Sequence, residues 1–465
     1  MTTHKLRVRT LAFCAALTLL GCGAALADEV NVMMSGWFAP AYRELKRDPM
    51  LALDSRSPRA PLPPTVKLRV VRPTQVALTK RSARQSMRVN QPARIELPGQ
   101  VVLVFQGGGA LGAYQLGVYQ AMDEAGIQPD WVIGTSIGAI NAALIAGNPP
   151  ERRFRRLAEF WNQVTDRTRL DVPAAWPGWD KIFSKWMIIG GGIEGFFQPN
   201  PASWLGPLAR LGVDRASYYL IAPLRDTLCS LVDFDLLNAG NPRLTVGAVH
   251  ACTGAMRYFD SRDQRLNASH IMSSGALPPA FPAVRIDGEP YWDGGVYSNT
   301  PVEVVLDDKP RKSSVIFSVQ VWNPIGPEPE SIWQISERQK DIQYASRTDS
   351  HIARQQQIHR LRHVIRELVN RLPEAERASS EVQALAAWGC QTTMRMIKLA
   401  APRLEGDDQL KDIDFTPAGI ASRQRAGYEA AMRAIAARPW EAPMDPVEGL
   451  TVYNADEYIT GERRV

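Results

Sequence analysis

The chain has 465 residues, a net charge of +6, 45% hydrophobic residues and 22% charged residues. That length and balance exclude disorder throughout and allow two to four structural units with a large buried core. No apolar run in the body of the chain reaches the ~20 residues of a membrane-spanning helix. The cysteines at 14, 22, 229, 252 and 390 form no CxxC and no paired spacing, which argues against a disulfide framework or a structural metal site.

Lys5, Arg7 and Arg9 precede the apolar stretch 11–20, and Ala25-Leu26-Ala27 has the small-x-small form of a cleavage site. This predicts a signal peptide over residues 1–27 and an exported protein, periplasmic or membrane-associated. Leu19-Leu20-Gly21-Cys22 loosely resembles a lipoprotein processing site. The competing expectation is a misassigned start, at Met33, Met34 or Met87, and a cytoplasmic protein. Residues 28–99 read as a largely disordered arm, because residues 55–95 hold ten Lys or Arg, six Pro and no Asp or Glu. It is either a solvated linker or an electrostatic contact with an anionic membrane. Aromatics that could stack bases are missing, so no nucleic-acid partner is expected.

Ordered structure is predicted from Gln100. Val101-Val102-Leu103-Val104-Phe105 is the continuous apolar run of a strand buried on both faces of a parallel sheet. Gln106-Gly107-Gly108-Gly109-Ala110-Leu111-Gly112 follows, then a helix with Leu116, Tyr119 and Met122 on one face, ended by Gly126. Trp131-Val132-Ile133 is a second strand, Gly134-Thr135-Ser136-Ile137-Gly138 a second glycine turn, and residues 139–146 a second helix. Strand, turn and helix repeated in this way predict an α/β fold with a parallel sheet.

Two chemistries compete for residues 107–112. Alone, the run matches the G-x-G-x-x-G of dinucleotide sites. Such a site expects an acidic residue about 20 positions on, at the end of the second strand, but that strand ends in Gly134-Thr135-Ser136 and Asp130 precedes it. The alternative is an oxyanion hole, with successive amides at a helix start aimed at a developing negative oxygen. Gly134-x-Ser136-x-Gly138 favours the second, since it has the form of a nucleophile elbow and follows the second strand of the same βαβ unit. Alone, a serine at a helix start is more often an N-cap.

Histidine is the usual base for such a serine, and the candidates are His250 and His270, because His4 is in the leader and His351, His359 and His363 sit among arginines on a helical stretch. Neither candidate has a triad context, and structural roles suit both better. Asp293 in Tyr291-Trp292-Asp293-Gly294-Gly295-Val296 ends a short aromatic strand just before glycines that permit close backbone approach. Read in isolation it is an Asp-Gly turn. To act on a serine its carboxylate needs to be desolvated and held by hydrogen bonds.

Gly107-Gly108-Gly109-Ala110-Leu111-Gly112, Gly134-Thr135-Ser136-Ile137-Gly138 and Asp293-Gly294-Gly295, in that order, resemble the three signature blocks of patatin-like phospholipases. The stretch Ser273-Ser274-Gly275-Ala276-Leu277-Pro278-Pro279-Ala280-Phe281-Pro282 resembles the segment before the family's aspartate. The resemblance implies a three-layer sandwich with a mostly parallel central sheet, and a catalytic domain over residues 100–325. It also implies a Ser136–Asp293 dyad, an oxyanion hole at the amides around Gly108, Gly109 and Ala110, and hydrolysis of lipid or phospholipid acyl esters without metal or organic cofactor. One departure is Leu111, where the family often has Lys or Arg, which makes ester hydrolysis the firmer implication and phospholipid preference the weaker. A nucleotide-binding protein and a catalytically silent membrane-binding scaffold are the alternatives.

Residues 151–241 hold tryptophans at 161, 176, 179, 186 and 204 with Phe196-Phe197, either a cap with an acyl-binding wall or ordinary core aromatics. Pro324, Pro327 and Pro329 mark a boundary, and residues 326–465 are expected to form a helical extension. In it Ile358, Leu361, Ile365 and Leu368 repeat at helical spacing among arginines, a face that would pack on the catalytic domain or lie on a membrane. Ala426-Gly427-Tyr428 and Arg438-Pro439-Trp440 resemble a helical region of unknown function behind the lipase domain of some bacterial patatin-like proteins.

Overall fold

The computed structural model describes residues 95–165, 190–445 and 447–455. The expected leader, the basic arm as far as residue 94, and Trp176, Trp179 and Trp186 of the expected cap lie outside them. Residues from Pro92 onward form one compact unit.

In chain order the elements are β1 (Gln100–Phe105), α1 (Ala113–Glu124), β2 (Trp131–Thr135), α2 (Ile137–Ala146) and α3 (Pro150–Val164). A two-stranded ribbon, β3 (Gln198–Pro199) and β4 (Tyr219–Leu220), leads to α4 (Ala222–Leu231) and α5 (Phe234–Asn238). Then come β5 (Arg243–His250), β6 (Met256–Asp260), α6 (Ala268–Ser274), β7 (Val284–Ile286), β8 (Glu289–Asp293), α7 (Glu303–Leu306) and β9 (Ser314–Gln320). The chain closes with α8 (Ile332–Arg371), α9 (Glu374–Arg377), α10 (Ser380–Ala386), β10 (Met394–Ala400), α11 (Pro417–Ala437) and β11 (Leu450–Asn454).

The main sheet runs β11-β10-β9-β1-β2-β5-β8-β7, with β6 also on β5. From β11 to β5 every pairing is parallel, and β6, β7 and β8 are antiparallel additions at one side. β1 lies at the centre with its apolar side chains alternating between two cores. Leu103 and Phe105 face a core that includes α1, α2 and α11, while Val102 and Val104 face a second core with Val305, Leu306 and Ile352 of α7 and α8. A strand covered by helices on both faces has no solvated side, hence its unbroken run of Val, Leu and Phe. The result is a three-layer α/β sandwich.

The region after residue 326 holds long helices and also adds β10 and β11 to the sheet, beside β9. Arg395 and Lys398 interrupt the apolar residues of β10, which hides it in the sequence. In the second half of α8 the buried positions include Ile352, Gln355, His359 and His363. Of the apolar stripe, Ile358 and Ile365 are half-buried while Leu361 and Leu368 are exposed, because the sheet side of the helix takes the imidazoles. His359 Nε2 donates to the Leu306 carbonyl, 3.1 Å away, and His363 Nε2 to the Thr392 carbonyl, 2.9 Å away. Among the described residues no helix is long and apolar enough to cross a membrane.

Candidate active site

The register of β5 explains how residues far apart in sequence meet. Thr135, the last residue of β2, pairs with Gly247, and the next residue of β5, Ala248, pairs with Asp293. β6 fills the other edge of β5 from Thr245 to Val249, so β8 takes up the edge that β2 leaves. Ser136 follows Thr135 directly. The chain end of β2 and the chain end of β8 therefore converge at one point on the carboxyl edge of the sheet.

The turn at Ser136 is tight enough to exclude side chains at both flanks. A Cβ on Gly134 would lie 2.3 Å from the Gly138 carbonyl oxygen, and one on Gly138 would lie 2.5 Å from the Phe105 carbonyl oxygen. Ser136 itself has φ of 56°, a left-handed conformation that costs a non-glycine residue roughly 1–3 kcal/mol and recurs at functional turns. Its amide donates to the Ser274 hydroxyl at 3.0 Å, and that hydroxyl donates to the Gly247 carbonyl at 2.6 Å. Ser274, inside the stretch recognised before the aspartate, thus ties the elbow to β5.

Asp293 is 2% exposed. Its carboxylate accepts the Gly295 amide at 2.7 Å, and the Ser136 side chain lies near enough to lower its pKa. Burial pushes its pKa up to about 7, against 3.8 for an ordinary aspartate, and Ser136 and Gly295 hold it from rising further. The two expected groups are therefore neighbours at the sheet edge, with a carboxylate whose proton affinity matches neutral pH.

The histidines are occupied elsewhere. His250 Nε2 lies 2.9 Å from Glu289, and its Nδ1 accepts the Cys252 and Thr253 amides. His270 belongs to the capping box of α6, with its Nδ1 at Asn267 and its Nε2 3.1 Å from Gln264. Asp130 lies at the opposite edge of the sheet, accepting the Val101 amide at 2.8 Å, where it cannot meet a ligand of the glycine loop.

The glycine loop continues β1 and folds into a 3-10 turn at Gly109–Gly112. The amides at its two ends are committed, Gly107 to the Asn299 carbonyl at 3.2 Å and Leu111 to the Gly108 carbonyl at 3.1 Å. Among the described residues those of Gly108, Gly109 and Ala110 have no acceptor. Of the six residues 107–112, these three carry the anion-binding capacity. A Cβ on Gly107 would lie 2.9 Å from the Ser136 Cβ, so the loop rests directly on the elbow.

Side chains with no motif hold this loop. The Gln106 Oε1 accepts the Val321 and Trp322 amides at 2.6 and 2.9 Å, while its Nε2 donates to Thr300 at 2.7 Å. The Gly107 carbonyl accepts from Trp322 Nε1 at 2.8 Å and from Asn299 Nδ2 at 3.1 Å. The Trp322 ring stacks on Tyr344 of α8 with centroids 4.9 Å apart. Burial raises the Tyr344 pKa, and the carboxylates of Asp412 and Asp293 raise it further. Of these residues only Gln106, adjoining the glycines, had any signal in the sequence.

Of the expected cap, Trp161, Phe196 and Phe197 are buried in an aromatic cluster with Phe160 and Phe415. Trp204 is exposed. Among the described residues no three His, Cys, Asp or Glu side chains are grouped to hold a metal ion.

A serine elbow and a glycine-rich loop converging at the carboxyl edge of a parallel sheet define an α/β protein with a serine-centred site. Family models narrow the class. A patatin-like phospholipase model matches residues 103–306 and a patatin phospholipase model matches residues 342–447. The chain thus carries a patatin-like phospholipase domain, followed by a segment that matches a second patatin phospholipase model.

A patatin-like phospholipase domain-containing protein of Caenorhabditis elegans, M110.7, is 42% identical over 90 residues, which are 18% of this chain and 8% of that protein. Lysophospholipase NTE1 of Candida glabrata is 28% identical over 231 residues, 49% of this chain and 11% of the relative. The Saccharomyces cerevisiae NTE1 is 29% identical over 239 residues, with the same coverage of 49% and 11%. The chain thus matches a small part of each of these longer proteins. Among solved structures, VipD from Legionella pneumophila aligns with TM-score 0.33 and 16% identity over 76% of this chain and 72% of its own. The type III effector ExoU aligns with TM-score 0.28 and 14% identity over 74% and 54%.

Proposed function

We propose that the protein is a serine acyl hydrolase acting on fatty-acyl esters of lipids through a Ser136–Asp293 dyad. The observation that carries this reading is the convergence of Ser136 and the buried Asp293 carboxylate at one point of the sheet edge, next to three acceptor-free amides. Asp293 takes the Ser136 proton as Oγ attacks the acyl carbon. The carbonyl oxygen, becoming negative, is met by the amides of Gly108, Gly109 and Ala110. Collapse expels the alcohol, which leaves with the proton from Asp293, and water then repeats the sequence on the acyl-enzyme to release the fatty acid.

Lipid as the substrate class is supported by the match to patatin-like phospholipase models and by the relatives named lysophospholipase. The reading extends to peripheral contact with an anionic membrane, supported by Leu361, Leu368 and Trp388 exposed near Arg360 and Arg366. Residues 1–27 would direct export if they act as a leader. Dinucleotide binding is the weaker reading, since β2 ends at Thr135 and is followed by Ser136 rather than by a carboxylate that could hold a ribose.

Labelling with a fluorophosphonate tests the proposal. The wild-type protein should react at one site and Ser136→Ala should not, although it folds, because one small hydroxyl is removed. An unlabelled wild type, or a labelled Ser136→Ala, would sink the assignment.

A further inference from the structure

The glycine loop fixes its anion-binding amides only relative to one another. The 3-10 turn over Gly109–Gly112, with the Leu111 amide on the Gly108 carbonyl, sets the local geometry, so the aim of the turn as a whole toward Ser136 depends on what lies against it. On one side Trp322 and Asn299 hold the Gly107 carbonyl. On the other side Gly109, at φ of +55°, touches a segment about 300 positions away, since a Cβ there would lie 2.3 Å from the Asp412 carbonyl oxygen.

That segment is fixed by charge. The Asp412 carboxylate accepts from Lys340 Nζ of α8 at 2.8 Å, and the same ammonium donates to the Gln409 carbonyl at 2.8 Å. Next to it, Lys411 Nζ lies 2.7 Å from Asp341 and 3.3 Å from Glu337, and Arg403 lies 2.8 Å from Glu337. Glu337, Lys340 and Asp341 are three and four positions apart, one face of one helix. From the opposite side Arg423 of α11 reaches Asp407 at 2.9 Å and the Lys411 carbonyl at 3.2 Å. A cleft beside this wall is lined by Leu111, Arg403, Lys411 and Arg423. Each of its cations already faces a carboxylate, so the cluster is a brace rather than an anion site.

Buried ion pairs add little to stability compared with apolar packing, but they fix position and direction. Lysine and aspartate side chains buried behind a turn whose amides need aiming fit the second role. We propose that Lys340 and Asp412 are positioning residues. Through the Asp412 backbone they aim the Gly108, Gly109 and Ala110 amides, and α8 with residues 403–414 forms the outer wall of the oxyanion hole. This rests on the reading of Ser136 as an acyl-transfer nucleophile.

The test is a double variant, Lys340→Met with Asp412→Asn, which removes both charges together and strands neither. Per fluorophosphonate-labelled site, kcat on a soluble p-nitrophenyl ester should fall about tenfold or more, with KM within about twofold. The labelling rate should fall alongside kcat, because the phosphonyl oxygen occupies the same hole. The midpoint of the pH profile should stay near 7, since Asp293 is untouched. A merely structural role would lower the number of labelled sites and leave kcat per site unchanged, and that result would overturn the proposal. Should the double variant not fold, Asp412→Glu decides: it keeps both charges and adds one methylene between carboxylate and backbone. A folded Asp412→Glu with native kcat per site would overturn the brace, and a severalfold lower kcat would support it. A wild type that neither labels nor hydrolyses would instead overturn the reading of Ser136, an outcome distinct from either.

Discussion

The turn after β2 is held mainly by residues close to it in sequence: Gly134 and Gly138 meet across the elbow, the Ser136 carbonyl accepts the Ala139 and Ile140 amides, and Ser274 adds one tie to β5. The turn after β1 is held from outside. Its contacts come from Asn299, Trp322, Tyr344 and Asp412, more than 190 positions further along the chain. The proposed nucleophile thus sits in a locally determined structure, while the amides proposed to stabilise its transition state depend on the assembly of the whole sandwich. Damage to the elbow should therefore be local and severe, and damage to the glycine loop should arise at a distance and be graded.

The largest effect should follow from the base. Asp293→Asn should lower turnover about 100- to 10,000-fold, the range typical of general-base loss, whereas His250→Ala and His270→Ala should stay within about tenfold once folded. Rates on a soluble ester check the contrast, and a histidine variant as inactive as Ser136→Ala would replace the dyad with a triad.

The same carboxylate sets the pH dependence. Because its folded pKa is about 7 against 3.8 for an ordinary aspartate, kcat/KM should rise as pH passes upward through 7 with a single ionisation. Stability should move the opposite way. Between those values the folded state keeps a proton that the unfolded chain has lost, so stability falls as pH rises from about 4 to about 7, and below about 4 the group contributes nothing. Asp293→Asn removes that cost, at most about 4 kcal/mol, and should raise the melting temperature at pH 8 by several degrees but hardly at pH 4. An equal shift at both pH values would show that Asp293 is not buried as a carboxylate.

Smaller effects should separate the two turns. Asn299→Ala removes one of two donors to the Gly107 carbonyl. It should lower kcat roughly tenfold while leaving KM and the pH midpoint in place. A change confined to KM would mean that Asn299 contacts substrate rather than the loop.

The smallest effect should come from the membrane side. Each basic residue near an anionic surface contributes roughly 1 kcal/mol at most and is screened by salt. Binding to phosphatidylglycerol vesicles should decline between low and high salt. It should weaken in a protein lacking residues 28–95 and in Leu361→Ser with Trp388→Ser, with turnover on a soluble ester unchanged. Salt-independent binding would reject the electrostatic part.

Much of this arrangement was legible before any coordinates. Val101 to Phe105 had to be a doubly covered strand because no polar residue interrupts it, and Gly134 and Gly138 had to flank a tight turn because their Cβ atoms would strike backbone four or more residues away. Periodicity misplaced the face of α8. Apolar spacing favoured Leu361 and Leu368, but the sheet side buries His359 and His363, whose rings satisfy carbonyls that leucine would leave unpaired. Periodicity also missed β10, because Arg395 and Lys398 fall on opposite faces of the strand, half-buried among Met394, Met396, Ile397 and Leu399, with Lys398 paired to Asp349 at 2.6 Å.

Ordered motifs and local sterics therefore determined the layered fold, the elbow, and the pairing of Ser136 with Asp293 as candidates. Only the tertiary structure decided which amides of the glycine loop lack acceptors, how far burial raises the Asp293 pKa, and that Lys340 and Asp412 stand behind Gly109. Those properties are set by neighbours brought together across the sheet, and desolvation and through-space contact leave no periodic trace in a linear chain.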